Sequence, residues 1–122
     1  MSYKFQELTV YKMALEYIDQ VYRLSSQLPK GEWRNLRIQV ERAATSIALN
    51  IAEGSKGQSD AEQKRFLGLA VRSYLETVAC CDLIELRNYL STSDLNKVRE
   101  FGHQLFIKLQ AFRASLKHRT KV

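Results

Sequence analysis

The 122-residue chain is poor in the residues that punctuate β structure: it has one proline and five glycines. That is too few turn-formers for a sandwich, a barrel or another turn-dense β fold. It also lacks any apolar run approaching the roughly 20 residues that span a bilayer, so a soluble protein with no membrane partner is expected. The opening residues, Met1 to Glu7, contain no apolar h-region and no small-residue cleavage site, which leaves secretion unsupported and makes the cytoplasm the expected compartment. Cysteine is scarce, and its two copies, Cys80 and Cys81, are adjacent. Neighbours on a helix point about 100° apart, so a bridge between them would break the element, and both are expected to be reduced core thiols.

The elements of catalysis are equally thin. His103 and His118 are about four helical turns apart, roughly 22 Å, too far to share one metal or substrate. The run Gly54-Ser55-Lys56-Gly57 has neither the spacing nor the preceding strand of a phosphate loop and reads as a helix end and turn. The vicinal cysteines have no histidine nearby. Glu53 and Glu76 could be aligned by neighbouring helices, but beside Arg42 and Arg72 they read as structural ion pairs. The expectation is a non-enzymatic protein with no cofactor, no metal and no small-molecule substrate.

What is present is helix pattern and positive charge. The length suits a single domain over residues 1–122, enough for one core without disulfides. From about Leu8 to Leu28, Val10, Ala14, Tyr17, Val21, Leu24 and Leu28 form a seam at alternating spacings of four and three. Pro29 and Gly31 end it. A second segment spans roughly Glu32 to Glu53, with Gly54 as its expected left-handed cap. Ser59-Asp60-Ala61-Glu62 reads as a capping box opening a third segment that reaches about Leu90. The cluster Ser91-Thr92-Ser93-Asp94 caps a fourth, whose Leu95, Val98, Phe101, Leu105, Leu109, Phe112 and Leu116 repeat at helical spacing. Four long helices with short connections predict an all-α, antiparallel up-down four-helix bundle.

The second segment carries apolar residues on two sides: Leu36, Val40, Ala43, Ile47 and Ile51 on one, Ile38, Thr45, Leu49 and Ala52 on the other. A helix apolar nearly all round is buried on more than one face. With loops too short to cover the surplus, Ile38 and Leu49 are expected at a homo-oligomer interface. Between the two sides Gln39, Arg42, Ser46, Asn50 and Glu53 form a polar stripe, read as a buried seam with Arg42 bonded to Glu53 or Glu76, or as a polar pocket.

The net charge is +6, and Lys108, Arg113, Lys117, Arg119 and Lys121 fall in the last twenty residues without an acid among them. Such asymmetry points to a polyanionic partner, most simply RNA or DNA, or else to a solvated basic tail.

The string from Gln39 to Gly54 resembles the signature of the four-helix-bundle family encoded in intervening sequences of bacterial 23S rRNA genes. Leu8, Val10, Tyr11 and Ala14 are similar to the family's opening, Leu28-Pro29 with Glu32 to its first turn, and Phe66-Leu67 through Ala70, Ser73 and Glu76 to its third helix. The turn Lys30-Gly31-Glu32-Trp33-Arg34 departs from the pattern. The resemblance implies a bundle that assembles into a pentameric ring, and kinship with the accessory variability determinant of diversity-generating retroelements, a basic bundle that binds nucleic acid and a reverse transcriptase. Two functions follow as expectations. One is a nucleic-acid-binding oligomer using the last helix and tail; the other is a protein-interaction scaffold, for example an accessory subunit to a reverse transcriptase.

Overall fold

The computed structural model describes residues 1–116. Four helices form the fold, α1 (Thr9–Ser25), α2 (Leu36–Gly54), α3 (Asp60–Leu86) and α4 (Thr92–Ser115), with 3-10 turns at Lys4–Glu7 and Lys30–Glu32. No strand occurs among the described residues. α1 packs on α2 and α4, and α3 packs on the same two helices, with the α2–α3 contact the most extensive. One core draws on all four: Ala14, Tyr17, Val40, Ile47, Ile51, Leu67, Ile84, Leu95, Leu105 and Leu109 are sealed from solvent.

Helix ends differ from the sequence expectation for local reasons. α1 stops at Ser25, three residues before Leu28, and Leu28 is still buried. Pro29 disfavours helical backbone in the residue before it. The carbonyl of Leu28 instead accepts from the Trp33 indole Nε1–H at 2.9 Å, and the Arg37 guanidinium lies 4.9 Å over the same ring. α2 begins at Leu36, because Lys30–Glu32 is a 3-10 turn rather than the first helical turn. The Glu32 carboxylate accepts from Asn35 Nδ2 at 2.9 Å and from Tyr89 Oη at 2.7 Å, which ties this turn to the end of α3. Those two bonds, that of Tyr89 foremost, hold the Glu32 carboxyl below its ordinary pKa.

Gly54 is not a left-handed cap. It is the last residue of α2, and the glycine with positive φ is Gly57. Gly54 is needed for space, since a Cβ there would lie 2.5 Å from Cβ of Phe66 on α3. At the start of α3 the Ser59 hydroxyl accepts from the Glu62 N–H at 3.1 Å, while the Glu62 carboxylate turns to Arg65, so half of the expected capping box is formed. α3 ends at Leu86 rather than Leu90: Asn88 takes φ 57°, and N–H groups of Asn88 and Tyr89 bond the carbonyls of Glu85 and Ile84. That is a Schellman turn with asparagine in the glycine position. Ser91 then caps α4 by accepting from the Asp94 N–H at 3.1 Å.

The helices are pinned at a few heights. Thr45 on α2 meets Tyr22 on α1; Ser46 meets Ser73 on α3, and Gly54 meets Phe66. Arg99 on α4 bonds Asp82 and Glu85 of α3 at 2.9 and 3.0 Å. At the centre Tyr17 and Thr77 share a hydrogen bond of 2.7 Å, and a Cβ on Gly102 would come within 2.7 Å of Tyr17 and 2.9 Å of Tyr74. α4 thus passes two tyrosine rings only because it lacks a side chain there. Along the α1–α4 seam an open groove of about 1200 Å³ is lined by Arg23, Leu24, Val98 and Phe101.

Candidate functional site

The last turns of α4 hold the described part of the basic cluster. α4 buries Leu105, Leu109 and Leu116, so residues between them are displaced toward its flanks or outward. Lys108 is exposed and makes no ion pair or hydrogen bond among the described residues. Arg113, five residues on and so about 140° round the helix, faces α3. It is partly buried: Nη1 donates to Gln110 Oε1 at 2.8 Å, Nη2 lies against Gly68, and Nε is buried without a partner. The structure therefore separates Lys108 from Arg113. Lys117, Arg119 and Lys121, with His118, lie outside the described residues.

The polar stripe of α2 is divided in use. Ser46 and Asn50 form the expected seam: Ser46 Oγ and Ser73 Oγ are 2.8 Å apart, and Asn50 Nδ2 donates to the Ser46 carbonyl and hydroxyl at 2.9 and 3.0 Å. Gln39 is exposed and donates to Asn35 Oδ1 at 2.9 Å. The ion pairs expected of Arg42 are absent. Arg42 is exposed with no bonded partner, Glu53 pairs with Lys56 at 3.1 Å, and Glu76 is exposed. Glu53 is eleven residues from Arg42 on the same helix, about 16 Å away, and Glu76, which the Ser46–Ser73 pairing sets near the height of Arg42, is exposed rather than turned to it. Ser46 opposite Ser73 and Gly54 opposite Phe66 put Glu53 and Glu76 at different heights, so these two carboxylates are not brought together.

Ile38 and Leu49 project from the outer face of α2, 40% and 64% exposed, with Arg42 and Thr45 on the same face. With Tyr22 they line a shallow groove of about 430 Å³ between α1 and α2. The outer face of α3 adds Leu75, Leu83 and Leu86, each about half exposed or more. His103 is exposed and stacks on Phe106. Cys80 and Cys81 are buried free thiols, and burial pushes the Cys81 thiol up to about 11. Among the described residues no three His, Cys, Asp or Glu side chains converge as a metal site, and no helix is long and apolar enough to cross a membrane.

The model of the 23S rRNA-intervening sequence protein family matches residues 6–111, most of the chain. The chain belongs to that family. A crystal structure of a protein with unknown function from the S23 ribosomal protein family of Bacteroides thetaiotaomicron VPI-5482 is similar, with a TM-score of 0.77 and 20% identity over 86% of this chain and 98% of that one. At that identity the likeness shows the fold alone. Comparison with curated proteins finds no match. The stretch matched to the intervening-sequence family includes the α2 stripe, Ile38, Leu49 and Lys108; Arg113, Lys117, Arg119 and Lys121 follow it.

Two features escaped the sequence reading. One is the Trp33 clamp on the first turn. The other is the approach of Arg113 to Gly68, for which a signal existed: an isolated glycine in a helical pattern costs about 1 kcal/mol against alanine and asks for a packing reason.

Proposed function

We propose that this intervening-sequence family protein is a non-enzymatic, antiparallel up-down bundle that self-associates and binds the phosphate backbone of RNA or DNA through α4 and the residues after it. The observation that carries this reading is charge placement: Lys108, Arg113, Lys117, Arg119 and Lys121 occur in the last twenty residues with no acid. Pairings whose residue numbers rise on one helix as they fall on the next, Ser46 with Ser73 and Gly54 with Phe66, support the antiparallel arrangement. Exposed Ile38 and Leu49 support burial against a second copy, and the pentameric ring implied by the family resemblance would present several basic ends to one strand. Buried, free thiols support a reducing compartment, the cytoplasm.

Phosphate contacts release counterions, so binding must weaken with salt. Labelled RNA and DNA are titrated at low and moderate salt against the wild type and the combined variant Lys108→Gln, Lys117→Gln, Arg119→Gln and Lys121→Gln. The expected result is sequence-tolerant binding, reduced about tenfold or more in the variant at low salt. Equal affinity of the two proteins, or no binding at low salt, refutes the reading. The second reading, a protein-interaction scaffold, draws on Leu75, Leu83 and Leu86, which extend the exposed apolar surface onto α3.

A further inference from the structure

We propose that the α3–α4 groove around Gly68 is a built phosphate seam, formed by Lys64, Arg72 and Arg113, that takes the backbone of a nucleic-acid strand. It rests on the nucleic-acid reading above and gives it an address within the folded bundle. The first observation is Gly68 itself, in the interior of the 27-residue α3. Its φ is not positive, so backbone freedom does not explain a residue that costs about 1 kcal/mol in a helix. Space does: a Cβ would lie 3.3 Å from Arg113 Nη2, 3.6 Å from Cζ and 3.7 Å from Nε. The missing side chain lets the guanidinium lie against the α3 backbone.

The second observation is what Arg113 lacks. Arg99 lies fourteen residues earlier, which at about 100° per residue is nearly the same flank of α4, and it faces the same helix. Arg99 is met by two carboxylates, Asp82 and Glu85. Among the described residues Arg113 is met by none: its polar partner there is the neutral Gln110, and its Nε is buried without an acceptor. A guanidinium partly stripped of water and left without an anion favours an incoming one strongly.

The third observation is the company it keeps. Lys64 and Arg72 are one turn before and one turn after Gly68, about 6 Å each way on the same face of α3. Among the described residues neither has an ion-pair or hydrogen-bond partner. Of the carboxylates on this helix, Asp60 lies one turn before Lys64 and is itself engaged, Glu62 pairs with Arg65 at 3.2 Å, Asp82 and Glu85 hold Arg99, and Glu76 is exposed one turn beyond Arg72. Three cations spaced along about 12 Å of groove suit a ligand that repeats its negative charge, as a phosphodiester chain does. Arg113 supplies a positive charge fixed in place against Gly68, the exposed fork of Arg72 suits bidentate contact with phosphate oxygens, and Lys64 acts as a point charge on the other side.

The test uses full-length protein with fluorescein-labelled single strands of RNA and of DNA, titrated by anisotropy at two salt concentrations. Lys64→Gln with Arg72→Gln removes one half-buried and one exposed cation and leaves Arg113 packed. Gly68→Glu places a carboxylate beside the guanidinium without removing a cation, and circular dichroism confirms that both variants stay helical. The expected result is about tenfold weaker binding in each at low salt, with the logarithmic salt slope of the double variant reduced by about 1.4 for two lost single-strand phosphate contacts. Loss with both strands assigns the seam to phosphate, and loss with RNA alone assigns it to a backbone that carries 2′-hydroxyls. Wild-type affinity in the double variant, while the variant of Lys108 and the tail loses binding, overturns the seam and leaves the nucleic-acid reading standing. Absence of wild-type binding at low salt overturns that reading, and the seam with it.

Discussion

The inner and outer faces of α2 use similar side chains and meet different fates. On the inner face Val40, Ala44, Ile47 and Ile51 have no exposure, because α1 and α3 close over them. On the outer face Ile38 and Leu49 remain 40% and 64% exposed, with Arg42 and Thr45 beside them. Apolar burial is worth about 25 cal/mol per Å² wherever it occurs, so the side chains alone do not decide. What decides is whether a neighbouring helix exists on that side. Among the described residues no helix covers this outer face, and an uncovered apolar stripe of this kind is what the proposed self-association would bury.

The contrast can be broken most violently at the centre of the core. Gly102→Val should cost about 4 kcal/mol in denaturant unfolding, since the new Cβ meets the fixed rings of Tyr17 and Tyr74, and overpacking there has no room to relax. Wild-type stability would mean that α4 can shift away from both tyrosines. The contrast is sharpened by paired substitutions on α2 itself. Ile47→Ala should lose about 3 kcal/mol and leave the mass in light scattering unchanged. Leu49→Arg should change helicity and chain stability by less than about 0.5 kcal/mol and bring the mass down from a multiple of 14.1 kDa, five-fold in the proposed ring, to the single chain. Equal stability losses at the two positions, or a wild type that is already monomeric, would remove the distinction.

A smaller effect comes from the same contrast on α3, where Cys81 faces inward while Leu75, Leu83 and Leu86 face out. Burial raises the Cys81 thiol from 9.0 to about 11. The folded state therefore holds its proton more tightly than the unfolded state. The associated stability is complete below pH 9 and is lost as pH rises toward 11, on the order of 2 kcal/mol. Urea titrations across that range should show the decline, and Cys81→Ala should flatten it. A slope that is the same in the variant would place the alkaline loss on other groups.

Much of the fold is written in the period of the apolar residues. The seam from Val10 to Leu24 and the repeat from Leu95 to Leu116 lie where their spacing puts them, because burial of a three-four pattern admits little else. Helix ends were less legible. Pro29 marks the right neighbourhood, but the Trp33 clamp and the Glu32–Tyr89 bond join residues far apart in sequence and shift the start of α2 to Leu36. Asn88 could have been read as a stop only by knowing that the chain turns left-handed there. The stripe on α2 was half legible: Ser46 and Asn50 bond at helical spacing, whereas Arg42 points out beside Ile38 and Leu49, and which flank of α2 its neighbours cover is not contained in spacing within one helix. The basic cluster was readable as charge. Its division, with Lys108 free and Arg113 laid on Gly68, required the neighbouring helix.

The α1–α4 seam has a kinetic meaning. The other three helix contacts join consecutive helices through connections of five to ten residues, so each can close with little loss of chain entropy. The α1–α4 contact must gather the two ends of the fold, and it is flanked by the open groove of about 1200 Å³. Contacts of long sequence separation form late and cost the most entropy to form. α4 is therefore the helix whose amides should exchange with solvent first under native conditions, swinging from the Asn88 turn while α1, α2 and α3 stay packed. Each such opening would lift Arg113 from Gly68, so the seating of that guanidinium and closure of the bundle are one event.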